Sequence, residues 1–161
     1  MARKPARKAG NSWPLDQRPG FLIRRLHQIH VALFHKSCAA FEITPLQYSL
    51  LSALAQRGTA DQTTLADDVA LDRTTTTGAL KRLQSRNFIE RSIHLRDRRA
   101  QICQLTKAGA LLLRRMEAQA RAAHRKTVAD LSKADQKRLI SMMQRIVAAS
   151  SDQKHGSAAL D

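Results

Sequence analysis

The sequence predicts a mainly α-helical fold with a small β-wing: a winged helix-turn-helix domain with further helices at both ends. Three observations predict it. The run from Thr64 to Thr106 reads as helix, short turn, second helix, then a hairpin tipped by Arg96-Asp97-Arg98-Arg99. The flanking segments carry helical apolar stripes wider than one small domain can cover. The charge is lopsided, with 28 Lys and Arg against 13 Asp and Glu in 161 residues, a formal net charge of +15.

Residues 1–12 are basic, proline-bearing and without apolar periodicity, which predicts a disordered basic N-terminal arm. In the N-terminal segment 13–43, Leu22, Leu26, Ile29 and Leu33 form one stripe, and Ile23, His27, His30, Phe34 and Phe41 form another beside it. A helix from about Phe21 to Ala40 is therefore apolar over much of its girth and must be covered on more than one side. Region 44–105 begins with Thr44 as a cap, Pro45 in the first turn, Gln47 at the capping-box position and Gly58 as the stop. Leu46, Leu50, Leu51 and Leu54 of that helix pack under the helix-turn-helix.

Thr64 is read as the cap of the next, short helix, with Asp67 at its positive end and Leu65, Ala66, Val69 and Ala70 as its buried side. After Leu71, Asp72 caps a second helix that runs to Asn87, a residue tolerant of the left-handed conformation. So short a connection makes a helix-turn-helix. Arg73, Thr74, Thr75, Thr76 and Thr77, then Gly78, Lys81 and Arg82, are assigned to the exposed side, while Ala79, Leu80 and Leu83 point inward. A β-branched run lowers helix propensity by a few tenths of a kcal/mol per residue. Threonine reaches phosphates, base edges and thymine methyls, and glycine permits close backbone approach. The other reading is a solvated face with neutral threonines.

Segments 88–93 and 100–105 alternate, with Phe88 or Ile89 through Ile93, and Ile102 with Leu105, on the apolar face. Between them an arginine-bearing tip makes a wing: the second helix enters the major groove and the tip the adjacent minor groove. Thr74, Thr75, Thr76 and Lys81 are candidate base or phosphate readers, Arg82 a phosphate clamp, and Arg96, Arg98 and Arg99 the tip, with Asp97 orienting Arg99 or else Arg98.

In region 106–149, Thr106 caps a long helix with Leu111, Leu112, Met116, Ala120 and Ala123 inward, continuing toward Val128. Ser132 begins the last helix, which buries Leu139, Met142, Met143 and Ile146. Pairing these terminal dimerisation helices with a second copy buries the excess around a two-fold axis, the alternative being an intramolecular bundle. Two heads about 34 Å apart would read an inverted repeat in double-stranded DNA. Residues 150–161 are polar and read as a flexible tail.

Such charge favours a polyanion, and membrane surfaces also qualify. No apolar run reaches about 18 residues and no signal-like segment follows the basic start, so the expectation is a cytoplasmic, nucleoid-associated protein with no membrane partner. Cys38 and Cys103 are the only cysteines and are read as small buried residues. His27, His30, His35, Cys38 and Glu42 include zinc donor types, yet no Cys-x-x-Cys or His-x-x-x-His occurs, and neither metal nor cofactor is expected. No phosphate loop, Gly-x-Ser-x-Gly or zinc-hydrolase motif points to an enzyme.

Leu65-Ala66 through Asp72-Arg73, Gly78 through Leu83, Asp97-Arg98-Arg99 and Leu105-Thr106-Lys107-Ala108-Gly109 together resemble the MarR family of bacterial transcriptional regulators, over Phe21 to Ala149. The resemblance implies a homodimer that binds a palindromic operator and often releases it when a small, frequently aromatic, acid binds, and the expected role is that of a repressor of genes for catabolism or export of an aromatic or heteroaromatic acid. It places the effector between the dimerisation helices and the winged domain, where Arg18, His27, His30, Phe34 and Tyr48 are the candidate contacts. Hydroxylated benzoates or nicotinates are the first ligands it suggests. Trp13-Pro14-Leu15 stands where it can fold over that site or over a partner subunit. Two alternatives remain open here: an architectural DNA-binding protein without effector, and a thiol- or zinc-responsive regulator of the same fold.

Overall fold

The computed structural model describes residues 13–93 and 101–157, with side chains to residue 149. Helix α1 spans Pro19–Cys38, followed by a 3₁₀ turn at Ala39–Phe41. Helix α2, Pro45–Arg57, has both bonds of its capping box: Gln47 N–H donates to Thr44 Oγ1 at 3.2 Å and Thr44 N–H to Gln47 Oε1 at 3.0 Å. Gly58, at φ 79°, ends it.

Strand β1, Thr59–Asp61, was not expected; three residues are too few to show an alternation. The helix after it, α3, spans Gln62–Asp68, and its cap is Asp61 rather than Thr64. One Asp61 oxygen accepts from both Thr63 N–H (2.8 Å) and Thr64 N–H (2.9 Å), and the carboxylate charge faces the positive helix end. Helix α4, Arg73–Ser85, is capped by Asp72, which accepts from Thr75 N–H at 2.8 Å.

Both helices of the pair stop in the same way. Leu71 N–H reaches Ala66 O and Ala70 N–H reaches Asp67 O, while Phe88 N–H reaches Leu83 O and Asn87 N–H reaches Gln84 O. This double bond pattern needs a left-handed residue, supplied by Ala70 at φ 53° and Asn87 at φ 58°. Ala70 is consequently exposed, not on the buried side where its spacing put it.

Strands β2 (Ile89–Ile93) and β3 (Gln101–Leu105) pair antiparallel, Ile89 opposite Leu105 and Arg91 opposite Cys103, and β1 adds to the far edge of β3. Ile89 and Cys103 are buried; Ile93, expected inward, is exposed at the end of β2. Helix α5, Lys107–Thr127, starts at Thr106, whose hydroxyl donates to Asn87 O (2.7 Å) and accepts from Gly109 N–H (3.0 Å). Met116, Ala120 and Ala123 are buried and Leu111 is exposed.

The core joins Phe34 and Cys38 of α1, Leu50, Leu51 and Leu54 of α2, Leu65, Leu80 and Leu83 of the helix pair, Ile89 and Met116. This unit runs to His124 and a second starts at Arg125. In the second, Ser132 Oγ accepts from Asp135 N–H at 3.2 Å and caps α6, Lys133–Ser157. In the single chain Leu139 is half-buried and Met142, Met143 and Ile146 are exposed on α6, as are Leu22, Ile23 and Ile29 on α1.

Candidate nucleic-acid interface and adjoining cavity

Buried positions on α4 fall at Thr76, Ala79, Leu80 and Leu83, a helical i, i+3, i+4, i+7 stripe against the core. Arg73, Thr74, Thr75, Lys81 and Arg82 are thereby turned outward. The threonines, read as one exposed set, do different things. Thr74 is exposed beside Arg73. The Thr75 hydroxyl donates to Asp72 Oδ2 at 2.7 Å and holds that carboxyl below its ordinary range. Thr77 donates to Arg73 O at 2.5 Å and accepts a short hydrogen bond from Gln62, tying α4 to α3.

Thr76 corrects the sequence reading outright. It is fully buried and its hydroxyl has no hydrogen-bond partner, so it is a core residue and not a base reader. Gly78 is half-buried, and a Cβ added there would meet only the Arg82 guanidinium, at 3.7 Å. The chain's own packing does not require glycine at this point. Arg96, Asp97, Arg98 and Arg99, like the arm 1–12, lie outside the described residues. Between β2 and β3, Gln104 Nε2 donates to Glu90 Oε1 at 2.5 Å.

Arg86 anchors the end of α4, donating to Glu42 O (2.6 Å) and Phe41 O (3.3 Å) and lying 4.9 Å from the Phe88 ring centre. Sequence reasoning had no handle on Arg86, because its partners are 44 and 45 residues away.

A cavity of about 430 Å³ lies against α2, lined by Tyr48, Ser52, Ala53, Gln56 and Arg57, with Asp68 and Val69 from the end of α3 and His124 from α5. Of the expected effector contacts, His30, Phe34 and Tyr48 come together as a run of rings: Phe34 is 5.5 Å from Tyr48 and 6.2 Å from His30, and His30 stacks on His124 at 4.7 Å. Only Tyr48 of the expected set lines the cavity. Phe34 is a core residue behind it, and His27 is exposed on α1. Arg18 is engaged elsewhere: its guanidinium donates twice to Trp13 O (2.9 and 3.2 Å) and lies 5.6 Å from the Trp13 ring centre. Burial, then the positive charges of His124 and His27, hold the His30 imidazolium below the ordinary histidine value.

The sequence missed Arg57 and Asp68, which form a two-bond pair, Nε to Oδ2 at 2.5 Å and Nη2 to Oδ1 at 2.7 Å. The bond from Arg57 lowers the Asp68 pKa. Eleven residues separate them, and only the fold of α2 onto α3 brings them together. Cys38 and Cys103 are buried, and burial pushes both thiols up, away from the reactive thiolate. Among the described residues no three His, Cys, Asp or Glu side chains gather to hold a metal ion, and no helix is long and apolar enough to cross a membrane.

A family model described as MarR family matches residues 43–100. The HTH-type transcriptional repressor NicR of Pseudomonas putida is 34% identical over 110 residues, 64% of this chain and 70% of that protein. The crystal structure of a probable transcriptional regulator from Pseudomonas aeruginosa, 32% identical, superposes with a TM-score of 0.78 over 83% of this chain and 99% of its own. The structure of Bordetella bronchiseptica BpsR, described with the regulation of its DNA binding by 6-hydroxynicotinic acid, is 26% identical with a TM-score of 0.80, covering 85% and 98%.

Proposed function

The chain belongs to the MarR family of winged helix-turn-helix transcriptional regulators, and from that premise we propose that it is a homodimeric repressor of inverted-repeat operators, released by a small aromatic or heteroaromatic acid. The observation that carries the reading is the outward face of α4, where Arg73, Thr74, Lys81 and Arg82 project from a helix fixed by its buried stripe, in a chain of net charge +15. Arg73, Thr74 and Lys81 are assigned to the major groove and Arg82 to a phosphate; Thr75 and Thr77 hold the helix in place. Gly78 supports the same face: glycine inside a helix costs about 1 kcal/mol relative to alanine, and nothing in the chain requires it, so the space serves an outside body. Arg96, Arg98 and Arg99 are the minor-groove tip, with Asp97 orienting it.

The dimer is supported by the apolar residues left exposed on α1 and α6, which a second copy would cover. A small-acid effector is supported by the cavity and its neighbouring rings, and by the similar BpsR, whose structure is described with the regulation of its DNA binding by 6-hydroxynicotinic acid. Cytoplasmic, nucleoid-associated work follows from that role, with no catalytic step.

The test is a mobility shift on the DNA upstream of this reading frame against a scrambled duplex. A repressor of this kind keeps its preference as salt rises, whereas an architectural protein loses both duplexes alike. Lys81→Ala is expected to weaken operator binding about tenfold and to lower the salt slope. Equal affinity for both duplexes at all salt concentrations refutes the reading.

A further inference from the structure

We infer that Arg57 is the anion-binding residue of the α2 cavity, and that a planar organic carboxylate entering there takes its guanidinium from Asp68 and so uncouples α3 from α2. The inference rests on the ligand-responsive reading above and adds to it the binding group and the switch.

The cavity carries one full cation and one full anion on its wall, and they already hold each other. The fork of Arg57 meets the two oxygens of Asp68 in parallel, the geometry in which a guanidinium recognises any carboxylate. A ligand carboxylate therefore replaces Asp68 like for like. The pair is open to such exchange: the Arg57 side chain is 48% exposed and that of Asp68 23%. Water screens the attraction, so no core contact has to break for it to open. Two carboxylates on one guanidinium repel, and the one borne by a helix has to move away.

The rest of the cavity suits the rest of such a ligand. Tyr48, Ala53 and Val69 give an apolar surface for a ring. Ser49 and Ser52 donate their hydroxyl protons to Pro45 O and Tyr48 O, leaving oxygen lone pairs to accept from a ring hydroxyl. The volume of about 430 Å³ falls in the range of small-molecule sites.

Asp68 is the last residue of α3, two residues before the left-handed Ala70 that turns the chain toward Asp72 and α4. α3 also holds α4 through Gln62 and Thr77. Releasing Asp68 thus frees the helix that positions the DNA-facing one.

The experiment titrates the full-length protein with benzoate, 4-hydroxybenzoate and 6-hydroxynicotinate, with benzamide as the neutral control, and follows operator release by fluorescence anisotropy. The wild type is expected to bind at least one acid, to leave benzamide unbound and to release DNA. Arg57→Gln should weaken acid binding by about tenfold or more. Asp68→Asn should tighten it by about threefold or more, because the competing carboxylate is gone, and should bind operator more weakly with little further response to acid. A gain in ligand affinity cannot arise from misfolding. Acid binding and release unchanged in both variants overturn the switch and leave the ligand-responsive reading standing; no acid bound by the wild type, and no release, overturns both.

Discussion

Two glycines in two helices should answer the same substitution with opposite signs. Gly109 lies in the first turn of α5, and a Cβ built there would sit 2.0 Å from Phe88 O and 2.9 Å from Phe88 C, where real Cβ atoms stay beyond 3.0 Å. The wall is backbone, held by Thr106 N–H to Phe88 O (3.1 Å) and Phe88 N–H to Leu83 O (3.0 Å). Relief by about 1 Å strains or breaks these bonds, each contributing about 1 kcal/mol net. Overpacking against a wall that cannot yield costs about 3 kcal/mol, and alanine's helix propensity returns about 1. Gly109→Ala is therefore expected to destabilise by about 2 to 3 kcal/mol. At Gly78 the new methyl meets one flexible guanidinium at ordinary contact distance, so Gly78→Ala should stabilise by about 1 kcal/mol while weakening operator binding. Urea unfolding at a fixed protomer concentration measures both, since dimer stability depends on concentration. A Gly109→Ala protein as stable as the wild type would refute the close-approach argument.

Thr76→Val keeps the shape and removes an unpartnered buried hydroxyl, and is expected to stabilise by about 1 kcal/mol with operator affinity unchanged; lost affinity in a mobility shift would return Thr76 to the DNA face. Because the folded-state pKa of His30 is lowered, the fold favours its neutral form: that contribution is full above the ordinary value of 6.5 and is lost as pH falls through the depressed value. Urea midpoints should accordingly fall in the wild type as pH is lowered below about 6.5, and His30→Gln should flatten that slope, an equally steep slope counting against the assignment. Arg99→Ala at the wing tip should weaken operator binding by about tenfold or more without changing the mass of the dimer measured by light scattering; full affinity would remove the tip from the interface.

Local chemistry was legible wherever the deciding partner lies within a few residues. Thr44 with Gln47, Asp72, Asn87, Thr106 and Ser132 each act where the sequence put them, because a cap or a left-handed stop is settled by the first or last turn of a helix. The Leu-Thr-x-x-Gly run that helped reveal the family has its physical meaning in the same place: Leu105 pairs with Ile89, Thr106 caps α5, and Gly109 passes against Phe88 O. Thr64 failed as a cap because Asp61, three residues earlier, offers a charged acceptor to two N–H groups at once.

The sequence by itself determined the helix-turn-helix, its boundaries at Asp72 and Asn87, the cationic face of α4 and the family, all of which depend on spacing along one chain. Only the tertiary structure decided which of four consecutive threonines is buried, that Arg18 turns to Trp13, and that Arg57 meets Asp68 beside Tyr48. Helical period names the side of a helix, but the width of the buried stripe and the partner across a cavity are set by elements distant in sequence.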